Sequence, residues 1–148
     1  ADTRIQQQAR ELQSLLSRLM KPPSDQGLTA LPEIELSPRE FHVLLLLGDR
    51  GRMTMTDLAS LLNAPLSTLT RVMDRLEAKG LSRRFRSEED RRVVVAESSD
   101  KGNSLYNTIR QRQLDVAERM LRPLTAGERE ILLELIAKLA AGDAESHA

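Results

Sequence analysis

Between Thr54 and Arg92 two short helical patterns meet at a tight turn and run straight into a basic hairpin, an order that few small folds accommodate. Thr54 is placed to cap a helix whose third residue is Asp57, and Leu58, Ala59, Leu61 and Leu62 give that helix an apolar side. Asn63-Ala64-Pro65 breaks it. A second helix over Leu66 to Lys79 puts Leu69, Val72, Met73 and Leu76 within about 100° of arc at 3.6 residues per turn. Its opposite face carries Ser67, Arg71, Asp74 and Arg75, with Thr68 and Thr70 on the flanks. Short hydroxyls near the start and arginines beyond them suit a helix whose first turns meet base edges and phosphates in a major groove. Gly80 then ends the helix as a left-handed cap.

Leu81 to Arg86 and Arg92 to Glu97 both read as strands, and Ser87-Glu88-Glu89-Asp90-Arg91 is a polar connection between them. A helix pair followed by a hairpin is a winged helix-turn-helix. Leu66-Ser67-Thr68-Leu69-Thr70-Arg71, Asp74-Arg75-Leu76-Glu77-Ala78-Lys79-Gly80-Leu81 and Glu89-Asp90-Arg91-Arg92 resemble, in sequence and spacing, the multiple antibiotic resistance regulator (MarR) family. The resemblance implies that the second helix is the recognition helix and that Asp90 and Arg92 are the Asp-x-Arg motif of the wing. It further implies a homodimeric transcription regulator, a repressor, that binds double-stranded DNA at a pseudo-palindromic operator and is released by a small molecule. The implied DNA contacts are Ser67, Thr68, Thr70, Arg71, Arg75, Arg86, Arg91 and Arg92, with Asp90 holding the wing arginine by a charge-assisted hydrogen bond. Neighbours in a strand face opposite ways, so register decides between Arg91 and Arg92, and the motif selects Arg92. Pro65 and Leu66 stand where the family commonly has polar residues, which implies fewer polar contacts at the helix start.

The rest of the chain fits around this module. Ile5, Ala9, Leu12, Leu15, Leu16, Leu19 and Met20 recur at helical spacing, Lys21-Pro22-Pro23 stops them, and a connector without sustained period follows to Leu36. Ser37-Pro38-Arg39-Glu40 combines a hydroxyl cap, a proline at the first helical position and a glutamate at the third, so it starts a helix whose apolar body is Phe41 and Val43 to Leu47. Gly48-Asp49-Arg50-Gly51 turns the chain, and Arg52-Met53 can add a short strand to the wing. Ser98-Ser99-Asp100-Lys101-Gly102 stands where the family has Leu-Thr-x-x-Gly. Ser98 replaces the leucine, which changes the packing at that corner, while Ser99 can still cap a long helix marked by Leu105, Ile109, Val116, Met120 and Leu121. Thr125-Ala126-Gly127-Glu128 is another capping box, leading into Ile131, Leu132, Leu135, Ile136 and Leu139.

The expected fold is therefore mainly α with a small β wing. It is a single MarR-like domain over residues 1–148, with the winged helix-turn-helix module at 38–97 and dimerisation helices at 1–21 and 99–141. The terminal helices carry more apolar surface than one small module covers, and such surface in a soluble protein is usually paired with a partner.

Composition narrows the alternatives. A chain of 148 residues is ordinarily one domain and buries roughly 70% of its unfolded-chain surface. The absence of cysteine removes disulfides, thiolate metal sites and thiol redox sensing. There is no signal-like apolar run at the start and no stretch near the roughly 20 apolar residues of a membrane helix, so a cytoplasmic protein without membrane association is expected. Formal net charge is zero, yet Arg50 to Arg92 holds ten Lys/Arg against six Asp/Glu. Charge alone would equally describe a solvated surface; the order of motifs decides.

Enzymatic readings find little support. The two histidines, His42 and His147, build no metal site, and no phosphate loop, His-Glu-x-x-His pair or nucleophile motif is present, so no cofactor and no metal is expected. The runner-up is a winged-helix protein-interaction module, which would need a hydrophobic face opposite the core of the second helix. The resemblance also implies a cleft between the dimerisation helices and the module for a small aromatic ligand, with walls here of Phe41, His42 and Tyr106. Only three aromatic residues in the chain leave few stacking partners for it.

Overall fold

The computed structural model describes residues 3–20 and 34–146. Along the chain lie α1 (Thr3–Leu19), α2 (Pro38–Arg50), β1 (Met53–Thr54), α3 (Met55–Leu61), α4 (Leu66–Ala78), β2 (Ser82–Arg86), β3 (Val94–Ser98), α5 (Asp100–Leu121) and α6 (Ala126–Ser146). The Lys21-Pro22-Pro23 stop and most of the connector after it lie outside the described residues.

Local capping chemistry sets most of the helix starts. Ser37 Oγ accepts from Glu40 N at 3.2 Å while the Glu40 carboxylate accepts from Ser37 N at 2.6 Å, a reciprocal box with proline at the first helical position. The same exchange joins Thr125 and Glu128 at 2.9 and 3.3 Å. Thr54 accepts from Asp57 N at 3.1 Å and Ser99 from Gly102 N at 3.0 Å. Gly80, with φ +74°, occupies the left-handed region that closes a helix.

The sheet has the order β1-β3-β2, antiparallel throughout, with Thr54 beside Val95 and Arg84 beside Ala96. The short strand before α3 thus pairs with the wing as expected, over Met53–Thr54. Val43, Leu44, Leu47, Leu58, Leu69, Val72, Met73, Leu76, Leu81, Ala96, Leu105 and Ile109 form one buried cluster drawn from α2, α3, α4, the sheet and the start of α5. Leu61 differs from its expected place. It is 45% exposed, because α3 ends at that residue and the inward face of so short a helix is filled by Met55, Leu58 and Ala59.

α1 and α6 take no part in this core. Every described side chain of α1 is exposed, including Ile5, Leu12, Leu15, Leu16 and Leu19, and so are Ile131, Leu133, Leu135, Ile136 and Leu139 of α6. α6 is apolar on more than one side, a pattern that belongs to helices with neighbours around them.

The corner that Ser98 alters is closed differently from the expected motif. Ser98 is the last residue of β3, opposite Ser82, and Ser99 Oγ donates to Gly80 O at 2.6 Å. The N-terminus of α5 is thereby fastened to the turn that ends α4.

Candidate nucleic-acid interface

The buried stripe of α4 is the one expected: Leu69, Val72, Met73 and Leu76 all lie in the core. Their burial fixes the opposite face outward. Ser67, Arg71, Asp74 and Arg75 are exposed, while Thr68 and Thr70 are half-buried. Thr70 Oγ1 donates to Leu66 O at 2.9 Å, which spends its proton inside the helix and leaves its lone pairs to accept. The N-cap is Pro65 and no side chain caps this end, so first-turn N–H groups remain available to a phosphate oxygen.

The two acidic residues on α4 share one cation from the wing. Arg84, on β2, donates from Nε to Glu77 at 2.8 Å and from Nη2 to Glu77 at 3.0 Å, and Nη2 also bonds Asp74. The hydrogen bonds to Glu77, and then to Asp74, hold the Arg84 guanidinium charged against the cost of burial. The arrangement fastens the wing to α4 and offsets one of the two negative charges there.

A second cluster braces the sheet. The Glu97 carboxylate, nearly buried on β3, accepts from Arg52 Nε at 2.6 Å and from Arg83, and the Arg52 guanidinium lies 5.3 Å from the Phe85 ring centroid. Burial would push the Glu97 carboxyl up, but the hydrogen bonds from Arg52 and Arg83 bring it below its ordinary value. Neither cluster is legible in the sequence. Arg84 and Glu77 are seven residues apart and meet where β2 lies beside α4, whereas Arg52 and Glu97, forty-five apart, meet through the pairing of β1 with β3.

At the wing tip Asp90 accepts from Arg92 N and Nε at 3.1 Å and from Arg92 Nη2 at 3.2 Å. Those hydrogen bonds from Arg92 lower the Asp90 carboxyl below its ordinary value. The Arg92 side chain is 91% exposed, and an ion pair so open to water holds its partner weakly, so the guanidinium is free to exchange Asp90 for a phosphate. Arg86 Nη1 donates to Arg91 O at 2.8 Å and braces the turn. The expected strand alternation does not choose between Arg91 and Arg92. β3 begins at Val94, so both arginines lie in the turn and both are exposed.

The three residues expected to wall an effector cleft are not brought together in the described cavity. Phe41 packs against the core and His42 is exposed on α2. Tyr106, on α5, lies against Gly48, donates its hydroxyl to Asp49 and has Arg110 stacked 5.4 Å from its ring centroid. An open cavity of about 820 Å³ lies instead between the starts of α2 and α5 and the second half of α4, lined by Leu36, Glu40, Arg75, Lys79 and Lys101 among others. None of the three expected residues lines it. Among the described residues no cluster of metal-ligating side chains occurs, and no helix is long and apolar enough to cross a membrane.

Glu40 supplies a pH dependence at the edge of this cavity. Burial would raise its carboxyl, but the Ser37 backbone N–H and the Lys79 ammonium at 2.9 Å bring it below the ordinary 4.5. The unfolded chain therefore binds the extra proton first, so the stabilisation is complete above pH 4.5 and lost as pH falls through the lower folded-state value. Glu40→Gln is expected to melt below the wild type at neutral pH, with the gap closing on acidification in a calorimetric pH series.

A buried stripe, an outward basic face and an arginine-tipped hairpin define the winged helix-turn-helix class. The chain matches the MarR family model over residues 36–94. It is 30% identical over 118 residues to the HTH-type transcriptional regulator YfiV of Bacillus subtilis, covering 78% of this chain and 74% of that one. It is 33% identical over 108 residues to the HTH-type transcriptional regulator PecS of Dickeya dadantii, covering 71% and 65%. Among solved structures, FabT of Streptococcus pneumoniae in complex with DNA superposes with a TM-score of 0.79 at 22% identity, covering 95% of this chain and 98% of that one. YusO of Bacillus subtilis gives 0.76 at 25% identity, covering 95% and 97%. The chain belongs to the MarR family of DNA-binding transcriptional regulators.

Proposed function

We propose that the protein is a homodimeric repressor that binds a pseudo-palindromic operator, each protomer placing α4 in a major groove and its wing over the adjoining minor groove. The observation that carries this reading is the charge pattern of α4. Arg84 bridges Asp74 and Glu77 and offsets one of their two charges, whereas Arg71 and Arg75 have no carboxylate partner among the described residues. A helix surface left with unpaired arginines and hydroxyls suits base edges and phosphates. The FabT complex with DNA, on the same fold, is in keeping with it. Release by a small-molecule effector belongs to the same reading, with Phe41, His42 and Tyr106 as the proposed wall residues, and a ligand stacking on Tyr106 would compete with Arg110 for the ring.

Helix and wing should differ in how they read DNA, and titrating single variants separates them. Arg71→Ala or Arg75→Ala removes a side chain able to bond a base edge, which discriminates by about 1–3 kcal/mol, so the preference for operator over mutated operator should relax. Arg92→Ala should weaken operator and random duplex alike. It should also flatten the slope of log K against log salt by about 0.9 for each phosphate no longer neutralised, about twice that per dimer. Wild-type operator binding by all three variants would place the DNA contacts on other residues, and a wild type that selects no operator would favour a protein-interaction module.

A further inference from the structure

The start of α4 has an apolar side chain that the fold does not use. Leu66, the first helical residue, is 52% exposed and follows Pro65, so the tip of the recognition helix presents two residues without a side-chain donor or acceptor. The core stripe is complete without it, from Leu69 to Leu76. In helix-turn-helix docking the N-terminal residues of the recognition helix are those that meet base edges. A leucine there cannot bond the N7, O6, N6 or N4 groups of the major groove. The one apolar group displayed in that groove is the C5-methyl of thymine.

We propose that Leu66 is a specificity-determining residue that packs on a thymine methyl, one in each half-site. This rests on the operator-binding reading above and deepens it. Thr70 follows Leu66 by one turn, so the two side chains share one flank of the helix, beside the exposed Ser67 and Arg71, and the exposed leucine stands at its leading end. Recognition at that position is therefore apolar, and cytosine, which has no methyl, is rejected because the leucine packs on nothing there and is left facing its N4 amino group.

The test uses the full chain and an operator taken from random duplex. Each thymine is replaced in turn by deoxyuridine, which deletes only the methyl, and affinity is read by fluorescence anisotropy for wild type, Leu66→Ala and Leu66→Met. At one position per half-site the wild type should lose about fourfold for each methyl removed, about fifteenfold when both half-sites are changed. Leu66→Ala should be indifferent to that replacement, and Leu66→Met should keep the sensitivity. The exposure of Leu66 predicts wild-type melting for both variants, which separates a reading role from a folding one. Selective operator binding with no thymine-methyl dependence, or with the same dependence in Leu66→Ala, overturns this inference and leaves the operator reading standing. A wild type that selects no duplex overturns both.

Discussion

Replacing Leu16 and Leu135 together by glutamate is expected to leave a monomer that binds operator about 10²–10⁴-fold more weakly than the wild type. Leu16 on α1 and Leu135 on α6 are 46% and 53% exposed in the single chain, within two helices whose large apolar residues are left uncovered. Burying a leucine contributes about 1.5–3 kcal/mol, and the exposed side chains on both helices offer that gain several times over to a second copy. A glutamate in such an interface has either to give up its hydration or to take up a proton. Once the protomers separate, the second half-site no longer benefits from the effective concentration that linkage supplies, which sets the fall in affinity. Light scattering at micromolar concentration reads the first effect and operator titration the second. A double variant that stays dimeric and binds normally would place the interface elsewhere.

Gly102→Ala is expected to cost about 3 kcal/mol, at the upper end for overpacking a filled site. A Cβ at Gly102 would lie 2.0 Å from the carbonyl oxygen of Leu81, a backbone atom that no side-chain rotation can move. That oxygen accepts from Ser99 N at 3.0 Å, and Leu81 is fully buried. Relief requires the start of α5 to lift away from the beginning of β2, which pulls on both Ser99 hydrogen bonds and on the base of the wing. For a chain of this size the melting temperature should fall by roughly 6–12 °C, measured by calorimetry. Gly127→Ala is the control, since a Cβ there meets nothing within 4 Å. Equal melting of the two variants would mean that the corner is looser than described.

What was legible in the sequence is what short-range chemistry determines. Ser37 with Glu40, Thr125 with Glu128, Thr54 and Ser99 cap the helices they were expected to cap, because a cap is a bond across three residues. The stripe Leu69, Val72, Met73, Leu76 is buried because helical periodicity alone puts it on one side. Contacts that depend on register were not legible. Arg84 reads as one more basic residue until β2 is laid beside α4, where it bridges Asp74 and Glu77. Arg52, Arg83 and Glu97 meet only because β3 runs between β1 and β2. The place of Arg91 and Arg92 depended on where β3 begins, and an apolar run of Val93-Val94-Val95 gives no sign that pairing with β2 starts at its second residue. The bond from the Tyr106 hydroxyl to the Asp49 carboxylate at the end of α2 was not legible either, because the two residues are 57 apart and meet only when α5 packs on α2.

The central claim is that two copies of this chain read a symmetric site on duplex DNA, and repeated selection of bound sequences from random duplex by the purified wild type tests it most directly. The expected result is a two-fold symmetric motif with half-site centres about one helical turn, roughly 10 base pairs, apart, or a multiple of that spacing. One dimer should be bound per duplex. Recovery of no motif after successive rounds, or of a single asymmetric half-site bound by a monomer, would contradict it.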